Sequence, residues 1–350
     1  MPDVPVTMRG VWLTGHGDLD CLDYRTDIPT PRPGPGEVLI RVAAAGVNNT
    51  DINTRTAWYS KAGNAAEDAT WSGAPLHLPR IQGIDVCGHI AAVGTGVPAD
   101  RIGQRVLVEP CLREAAGQTL DPPWYLGSEC DGGFAEFTVV AARHAHPVDS
   151  PLSDVELASF PCSYSTAENM LRRAGVRAGD RVLVTGASGG VGSAAVQLAT
   201  IRGATVIAVT TPAKADALRD IGAARCLSRE DDIPTTLGRD SLDVVIDLVG
   251  GPSWPGLLEA LRPGGRYAVS GAIAGAIVDL DLRTLYLKDL TLFGSTALAP
   301  ETFPSLIGQI ESGRVKPLVA ETFPLSRIRD AQEAFLSKAH VGKIVLTISS

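Results

Sequence analysis

Seven consecutive residues carry the densest chemical signal in the chain: Gly186-Ala187-Ser188-Gly189-Gly190-Val191-Gly192. Glycines let a backbone turn tightly and bring amide N–H groups close to an anion. An apolar run at 181–185 leads into this turn, and a helical run, SAAVQLATIRG, leaves it. A pyrophosphate would sit against the positive end of that helix. The glycines read as GxxGxxG over Gly186, Gly189 and Gly192, and as the dinucleotide fingerprint with Ala187 in place of its first glycine. The strand–turn–helix setting separates a dinucleotide site from a glycine-rich packing turn.

The next strand ends Val209-Thr210-Thr211-Pro212-Ala213-Lys214. An NAD site usually places Asp or Glu here, about 20 residues on. No carboxylate occurs until Asp216, inside the following helix. The hydroxyls of Thr210 and Thr211 with the cation of Lys214 suit a 2′-phosphate, so the expected cofactor is NADP(H). Ser270 and Gly271 end a later strand, at the carboxyl edge where open parallel sheets bind ligands, and join the cofactor set. No Gly-x-Ser-x-Gly elbow with a triad is present, so hydrolase chemistry has no support.

These residues need a scaffold, and the chain spells one out. From residue 5 to 150 short β-branched runs are cut by turn signals: 38–42, 90–93, 105–108 and 134–140. They predict a barrel-like β-domain. From Arg181 strands at 181–185, 205–209, 225–227, 242–248, 266–270 and 290–294 alternate with helices at 190–202, 212–221 and 254–261. Near-continuous apolar strands joined by helices predict a parallel sheet covered on both faces. After residue 300 come helices at 303–312 and 328–338 and a strand at 343–348, a tail that should return to the first domain. The predicted domains are 1–155 with 301–350, and an inserted 156–300.

With 350 residues and 45 % hydrophobic content the chain can bury two cores. A net charge of −8 without basic clusters argues against nucleic acid. Six scattered cysteines without a CxxC pair read as reduced thiols. No signal peptide and no membrane-length apolar run is visible, so a cytoplasmic protein is expected.

Taken together, GEVLIRVAAAGVNNTD (36–51), GIDVCGHIAAVGTGV (83–97), DGGFAEF (131–137), RAGDRVLVTGASGGVG (177–192), LRPGG (261–265) and GKIVL (342–346) resemble the medium-chain dehydrogenase/reductase superfamily over nearly the full length. The resemblance implies a GroES-like catalytic domain, an inserted Rossmann domain and a cleft between them. The alcohol-dehydrogenase branch of the superfamily carries a catalytic zinc. Its Cys and His positions are Asn48 and Ile84 here, and only Cys162 matches a third ligand. One thiol cannot hold a tetrahedral zinc, and the four-cysteine structural lobe is missing, so no metal is expected. The chain looks like the zinc-independent branch of quinone oxidoreductases and enoyl reductases, with Gly46-Val47-Asn48, Asp51, Arg55 and Tyr59 at matching positions. Segments 61–77 and 110–131 are insertions relative to that branch.

The resemblance also places Thr166 beside a nicotinamide, Phe293 and Gly294 near its carboxamide, and Lys343 within reach of the pyrophosphate. It suggests a homodimer or homotetramer acting on a small molecule. Without a metal, charge building on a carbonyl oxygen needs oriented donors. Asn48 would offer an amide N–H, and Tyr59 a phenol O–H that can also deliver a proton. Trp58, Trp71, Trp124, Tyr125 and Tyr164 are candidates for an apolar pocket; His144 and His146 read as surface or interdomain residues. The expected function is an NADPH-dependent reductase of quinones or α,β-unsaturated carbonyls. The alternatives are an alcohol dehydrogenase with a degenerate zinc site and a non-catalytic NADPH-binding protein.

Overall fold

The strand Glu37–Val47 is buried at eight of its eleven positions and organises the first half of the chain. Cys87–Val93 pairs antiparallel with its residues 38–44, and Lys343–Thr347 with its last four. A computed structural model describes residues 4–61 and 69–348. Residues 62–68, part of the insertion read at 61–77, lie outside the described residues. Across the main sheet the order is Ala145–Pro147, Arg105–Val108, Cys87–Val93, Glu37–Val47, Lys343–Thr347 and Val319–Pro324; Phe137–Ala141 branches from Glu37–Val47. A smaller sheet is formed by Leu22–Pro29, Thr7–Leu13 and Arg80–Ile81.

A second sheet holds six parallel strands in the order Arg225–Ser228, Thr205–Thr210, Arg181–Val184, Leu242–Asp247, Leu261–Val269 and Thr291–Gly294. Numbered along the chain this is 3-2-1-4-5-6, the doubly wound dinucleotide-binding order. Val182, Leu183, Val184, Val244, Val245 and Ile246 are all fully buried, as a sheet covered on both faces requires. The fold is therefore the α/β class expected, a doubly wound parallel sheet inserted in a β-rich domain.

The chain divides into two compact units, Met1–Cys162 with Pro317–Ser350, and Ser163–Lys316. The predicted boundaries at 155/156 and 300/301 both fall short. The helix Thr302–Glu311 goes with the parallel sheet because its chain is tied there. Arg172 pairs with Glu301, Asn169 Nδ2 donates to Ala297 O at 3.3 Å, and Gln197 Oε1 accepts from Lys316 N at 2.8 Å.

Other elements differ from the sequence reading. The segment 212–221 starts as a 3-10 turn, Pro212–Lys214, before the helix Ala215–Asp220. The RPGG turn is a bulge inside the strand Leu261–Val269, between the pairs Leu242/Leu261 and Val244/Arg266. The insertion at 110–131 forms a hairpin, Cys111–Ala115 with Gln118–Tyr125, despite Pro122 and Pro123. Those prolines cost the hairpin little because, among the described residues, it has no further strand to pair with. Among the described residues no helix is long and apolar enough to cross a membrane.

Candidate active site

In the β-rich unit, Val47 ends the organising strand and Asn48 caps the helix Asn49–Arg55 with extended backbone. Asp51, at the third helical position, accepts the Asn48 backbone N–H at 2.7 Å, half of a capping box. This places Asn48 facing Asp85. Asn48 Nδ2 donates to Asp85 Oδ2 at 2.7 Å and to Gly46 O at 3.2 Å. Lys343 Nζ donates to Asn48 Oδ1 and, at 2.7 Å, to Asp85 Oδ2; the second Asp85 oxygen accepts from Cys162 N at 2.6 Å. Asn48, Asp85 and Lys343 are all at least 94 % buried, so every one of these bonds replaces water that is gone. Gly46 permits the packing, since a Cβ there would lie 2.5 Å from Asp85 Oδ2.

Two expectations change here. An amide has two N–H hydrogens, and both of Asn48's are already spent, on Asp85 and Gly46. Asn48 is held as a strut and has no hydrogen left for a substrate oxygen. Lys343, expected at a pyrophosphate, is instead buried against Asp85 and Asn48 in the β-rich unit. The same geometry bears on zinc. A divalent cation beside Asn48 would meet the Lys343 ammonium and, at Ile84, a buried hydrocarbon. Among the described residues no group of three His, Cys, Asp or Glu side chains is placed to hold a metal.

Tyr59 ends up next to this cluster. Its hydroxyl donates to Thr50 Oγ1 at 3.2 Å. Burial pushes the phenol up, and the nearby Cys162 and Asp51 add to the push, so the group stays protonated near neutrality. Thr50 and Tyr59 hold two hydroxyl hydrogens, one of which lies between them, and the Asn53 side chain also bonds the Tyr59 hydroxyl. Burial also raises the Asp51 carboxyl to about 7, against its bonds from the Asn48 and Gly83 amides and the pull of Lys343.

Aromatic rings line one side. Tyr59 lies 5.5 Å from Trp58 edge-on and 5.6 Å from Trp71, and Trp71 stacks on Tyr125 at 4.4 Å. Glu129 holds this wall by accepting from Ser72 N and Tyr125 N, both at 2.8 Å. Trp124 pairs with Leu112 in the hairpin and Tyr164 belongs elsewhere. Tyr164 is buried in the parallel-sheet unit, where its hydroxyl donates to Lys316 O at 2.8 Å and accepts from Gln197 at 2.7 Å. His144 is no surface residue: it is 1 % exposed, with Nδ1 at 2.9 Å from Glu109 and Nε2 accepting from Arg113 N.

In the parallel-sheet unit the glycine turn has the form the sequence requires. Gly186 sits at φ +57°, in the left-handed region. A Cβ on Gly192 would lie 2.3 Å from Gly186 O and 2.6 Å from Ala187 Cα, so only glycine lets the helix start this close to the strand. Gly189 caps the helix Gly190–Ile201, whose first amides, from Gly190, Val191 and Gly192, have no acceptor within the helix. Ala187 N bonds Val209 O at 3.2 Å, which brings Ser188 and the turn beside Thr210 and Thr211.

Thr210 is 2 % exposed, and among the described residues its hydroxyl has no partner. It lines a cavity of about 380 Å³ with Thr211, Asp216, Arg219 and Ser228. Asp216 is engaged by Arg219 at 2.5 Å. Burial, and then the neighbouring Arg229, lower the Lys214 ammonium. Sequence reasoning missed Arg229; its signal was a cation directly after the third strand of the unit. Ser270 and Gly271 reach the same sheet edge: Ser270 N donates to Asp247 O, Ser270 Oγ donates to Ser295 O at 2.8 Å, and a Cβ on Gly271 would meet Leu248 O at 2.9 Å. Open space surrounds Gly294 beside the half-buried Phe293, and Thr166 is half-buried on the helix Pro161–Arg173.

Residues 34–150 match the family described as "Alcohol dehydrogenase GroES-like domain", and residues 190–312 the family described as "Zinc-binding dehydrogenase". The acryloyl-coenzyme A reductase of Metallosphaera sedula is 30 % identical over 97 % of this chain and 100 % of its own. The chain belongs to the medium-chain dehydrogenase/reductase superfamily. The quinone oxidoreductase of Rattus norvegicus is 29 % identical over 97 % of this chain and 98 % of its own. A solved structure from Sinorhizobium meliloti 1021, which carries a provisional alcohol dehydrogenase name, is 47 % identical with a TM-score of 0.92, covering 98 % of this chain and 97 % of that one. The protein is thus an oxidoreductase of this superfamily, whose members bind nicotinamide cofactors and act on small molecules. Its glycine cradle and orphaned Thr210 hydroxyl fit such a dinucleotide.

Proposed function

We propose that the protein is a zinc-independent, NADPH-dependent reductase of α,β-unsaturated carbonyl compounds or quinones. The observation that carries the reading is the Lys343 ammonium bonded to Asn48, at the position where the alcohol-dehydrogenase branch has its first zinc ligand. A cation already fills that corner, so negative charge on a substrate oxygen falls to hydroxyl donors. The Thr50–Tyr59 hydroxyl pair would supply one, oriented before the substrate arrives. Burial keeps Tyr59 protonated, so it can hold the proton at its hydroxyl oxygen until the oxyanion forms. The half-buried Trp71 ring, backed by Tyr125 stacked on it, offers an apolar wall for a conjugated substrate. The names of the two curated relatives, a quinone oxidoreductase and an acryloyl-coenzyme A reductase, support the same substrate class.

The dinucleotide would be held by the Gly186–Gly192 turn and the amides at the start of the helix Gly190–Ile201. When bound, its reduced form supplies a hydride. Preference for NADPH rests on Thr210 and Thr211, on the neighbouring cations Lys214 and Arg229, and on the engagement of Asp216 by Arg219. The test is oxidation of NADPH and NADH against a panel of quinones, enals and enoyl thioesters, with metal content measured on the same protein. The reading requires turnover at well under one zinc per chain and at least about tenfold tighter binding of NADPH than NADH, about 1.4 kcal/mol. Stoichiometric zinc lost together with activity would overturn it in favour of an alcohol dehydrogenase.

A further inference from the structure

Asp247 ends the fourth strand of the parallel sheet and is completely buried, yet among the described residues no Lys, Arg or His pairs with it. Its charge is met by neutral donors alone. Oδ1 accepts from Thr185 Oγ1 at 2.5 Å, Val249 N at 2.9 Å and Gly250 N at 3.2 Å; Oδ2 accepts from Tyr267 Oη at 2.6 Å and Gly250 N at 3.2 Å. A buried carboxylate is costly to maintain without such bonds, and these come from three different segments of the sheet edge.

Each segment leads to a cofactor candidate. Thr185 runs directly into Gly186, and its hydroxyl also accepts from Leu248 N at 2.9 Å. The loop that follows Asp247 packs on that turn: a Cβ on Gly186 would lie 3.2 Å from Val249 Cγ2. The loop also interlocks with the segment after Ser270. Ala274 N donates to Val249 O at 2.9 Å and Gly251 N to Gly275 O at 3.1 Å. One carboxylate therefore fixes the glycine turn, the loop 248–251 and, through that loop, the Ser270–Gly275 segment.

We propose that Asp247 is a positioning residue for dinucleotide binding, acting through Thr185 and the Val249–Gly250 amides rather than by touching the ligand. This rests on the dinucleotide reading above. An asparagine at 247 would present an N–H to donors that now find an oxygen, and Thr185→Val would strip Oδ1 of its shortest bond and leave Leu248 N without an acceptor. Tyr267→Phe, by contrast, removes a donor on the core side and leaves every bond to the turn and loop in place.

The experiment measures NADPH affinity by fluorescence titration and thermal stability without ligand on four purified proteins: wild type, Asp247→Asn, Thr185→Val and Tyr267→Phe. Asp247→Asn and Thr185→Val should weaken NADPH about tenfold or more, the equivalent of one hydrogen bond to a charged group. Tyr267→Phe should lower the melting temperature while its affinity stays within about twofold of wild type. If Asp247→Asn does not fold, Thr185→Val decides. Unchanged affinity in Thr185→Val, or a loss in Tyr267→Phe as large as in the other variants, overturns the proposal. Wild-type protein that binds no dinucleotide overturns the functional reading as well, and that result is seen before any variant is made.

Discussion

Lys343 Nζ and Asp85 Oδ2 lie 2.7 Å apart, 4 % and 0 % exposed, and join residues 258 positions distant in the chain. The pair closes the β-rich unit: Lys343 opens the last strand, and Asp85 precedes the strand Cys87–Val93. Removing one partner of a buried pair leaves the other charge stranded, which typically costs about 3–5 kcal/mol. Lys343→Met should therefore lower unfolding stability by about that amount in a denaturant titration. NADPH affinity of the folded fraction should stay near wild type, the opposite of what a pyrophosphate-binding lysine would give.

The hydroxyl pair makes a second prediction. Thr50→Val and Tyr59→Phe each delete one oxygen while keeping shape. Loss of a preorganised donor to an oxyanion typically costs 10²–10³ in turnover, about 2.7–4 kcal/mol. Both variants should lose kcat on an enone with little change in NADPH affinity. A quinone, which needs less help with protonation, should be less sensitive. Steady-state kinetics on one enone and one quinone read this directly, and a raised KM with kcat preserved would reduce Tyr59 to a substrate contact.

Asp51 makes stability depend on pH. Its carboxyl is raised by burial from 3.8 to about 7. Between those values the folded protein keeps the proton and the unfolded chain does not. Folding is therefore favoured at low pH, and this contribution declines as pH rises from about 4 to 7, then levels off. The size is a few kcal/mol on the scale of 1.36 kcal/mol per pH unit. Denaturant midpoints of wild type and Asp51→Asn from pH 5 to 8 should diverge, with wild type losing ground as pH increases.

The cations at the ends of the second and third strands make a fourth. Arg229→Ala, and more so Arg229→Ala with Lys214→Ala, should weaken NADPH by about tenfold per charge-assisted bond lost. NADH affinity should hardly move, because only the 2′-phosphate distinguishes the two. Parallel titrations with both nucleotides separate a lost phosphate contact from a damaged fold.

Features built from neighbouring residues were legible in the sequence. The strand Arg181–Val184, the glycine turn and the helix Gly190–Ile201 follow one another along the chain, and each glycine's role is local. The strand Val319–Pro324 was not legible: it is mostly exposed and carries Glu321 and Pro324, so it lacks an apolar signature and exists because Lys343–Thr347 offers it a parallel edge. Asn48 was recognised as a site residue but given the wrong bonds. Its partners Asp85 and Lys343 are 37 and 295 positions away, and nothing near Asn48 announces that they will use up its amide. Arg229 and Asp247 escaped notice for a related reason: each gains meaning only when separate strands end side by side.

The boundary of the inserted unit has one more consequence. Tyr164, just inside its first residue, and Gln197 together grip Lys316, its last: the Tyr164 hydroxyl and Gln197 Nε2 donate to the Lys316 carbonyl, while Gln197 Oε1 takes its N–H. Head and tail of the segment 163–316 are thus latched by bonds that belong wholly to it. Such a segment is built like a cassette. Cut out at its own ends it should retain its six strands and its glycine turn, and it should be exchangeable between homologous hosts with little loss, whereas cutting at 300 would discard Lys316 and with it one side of the latch.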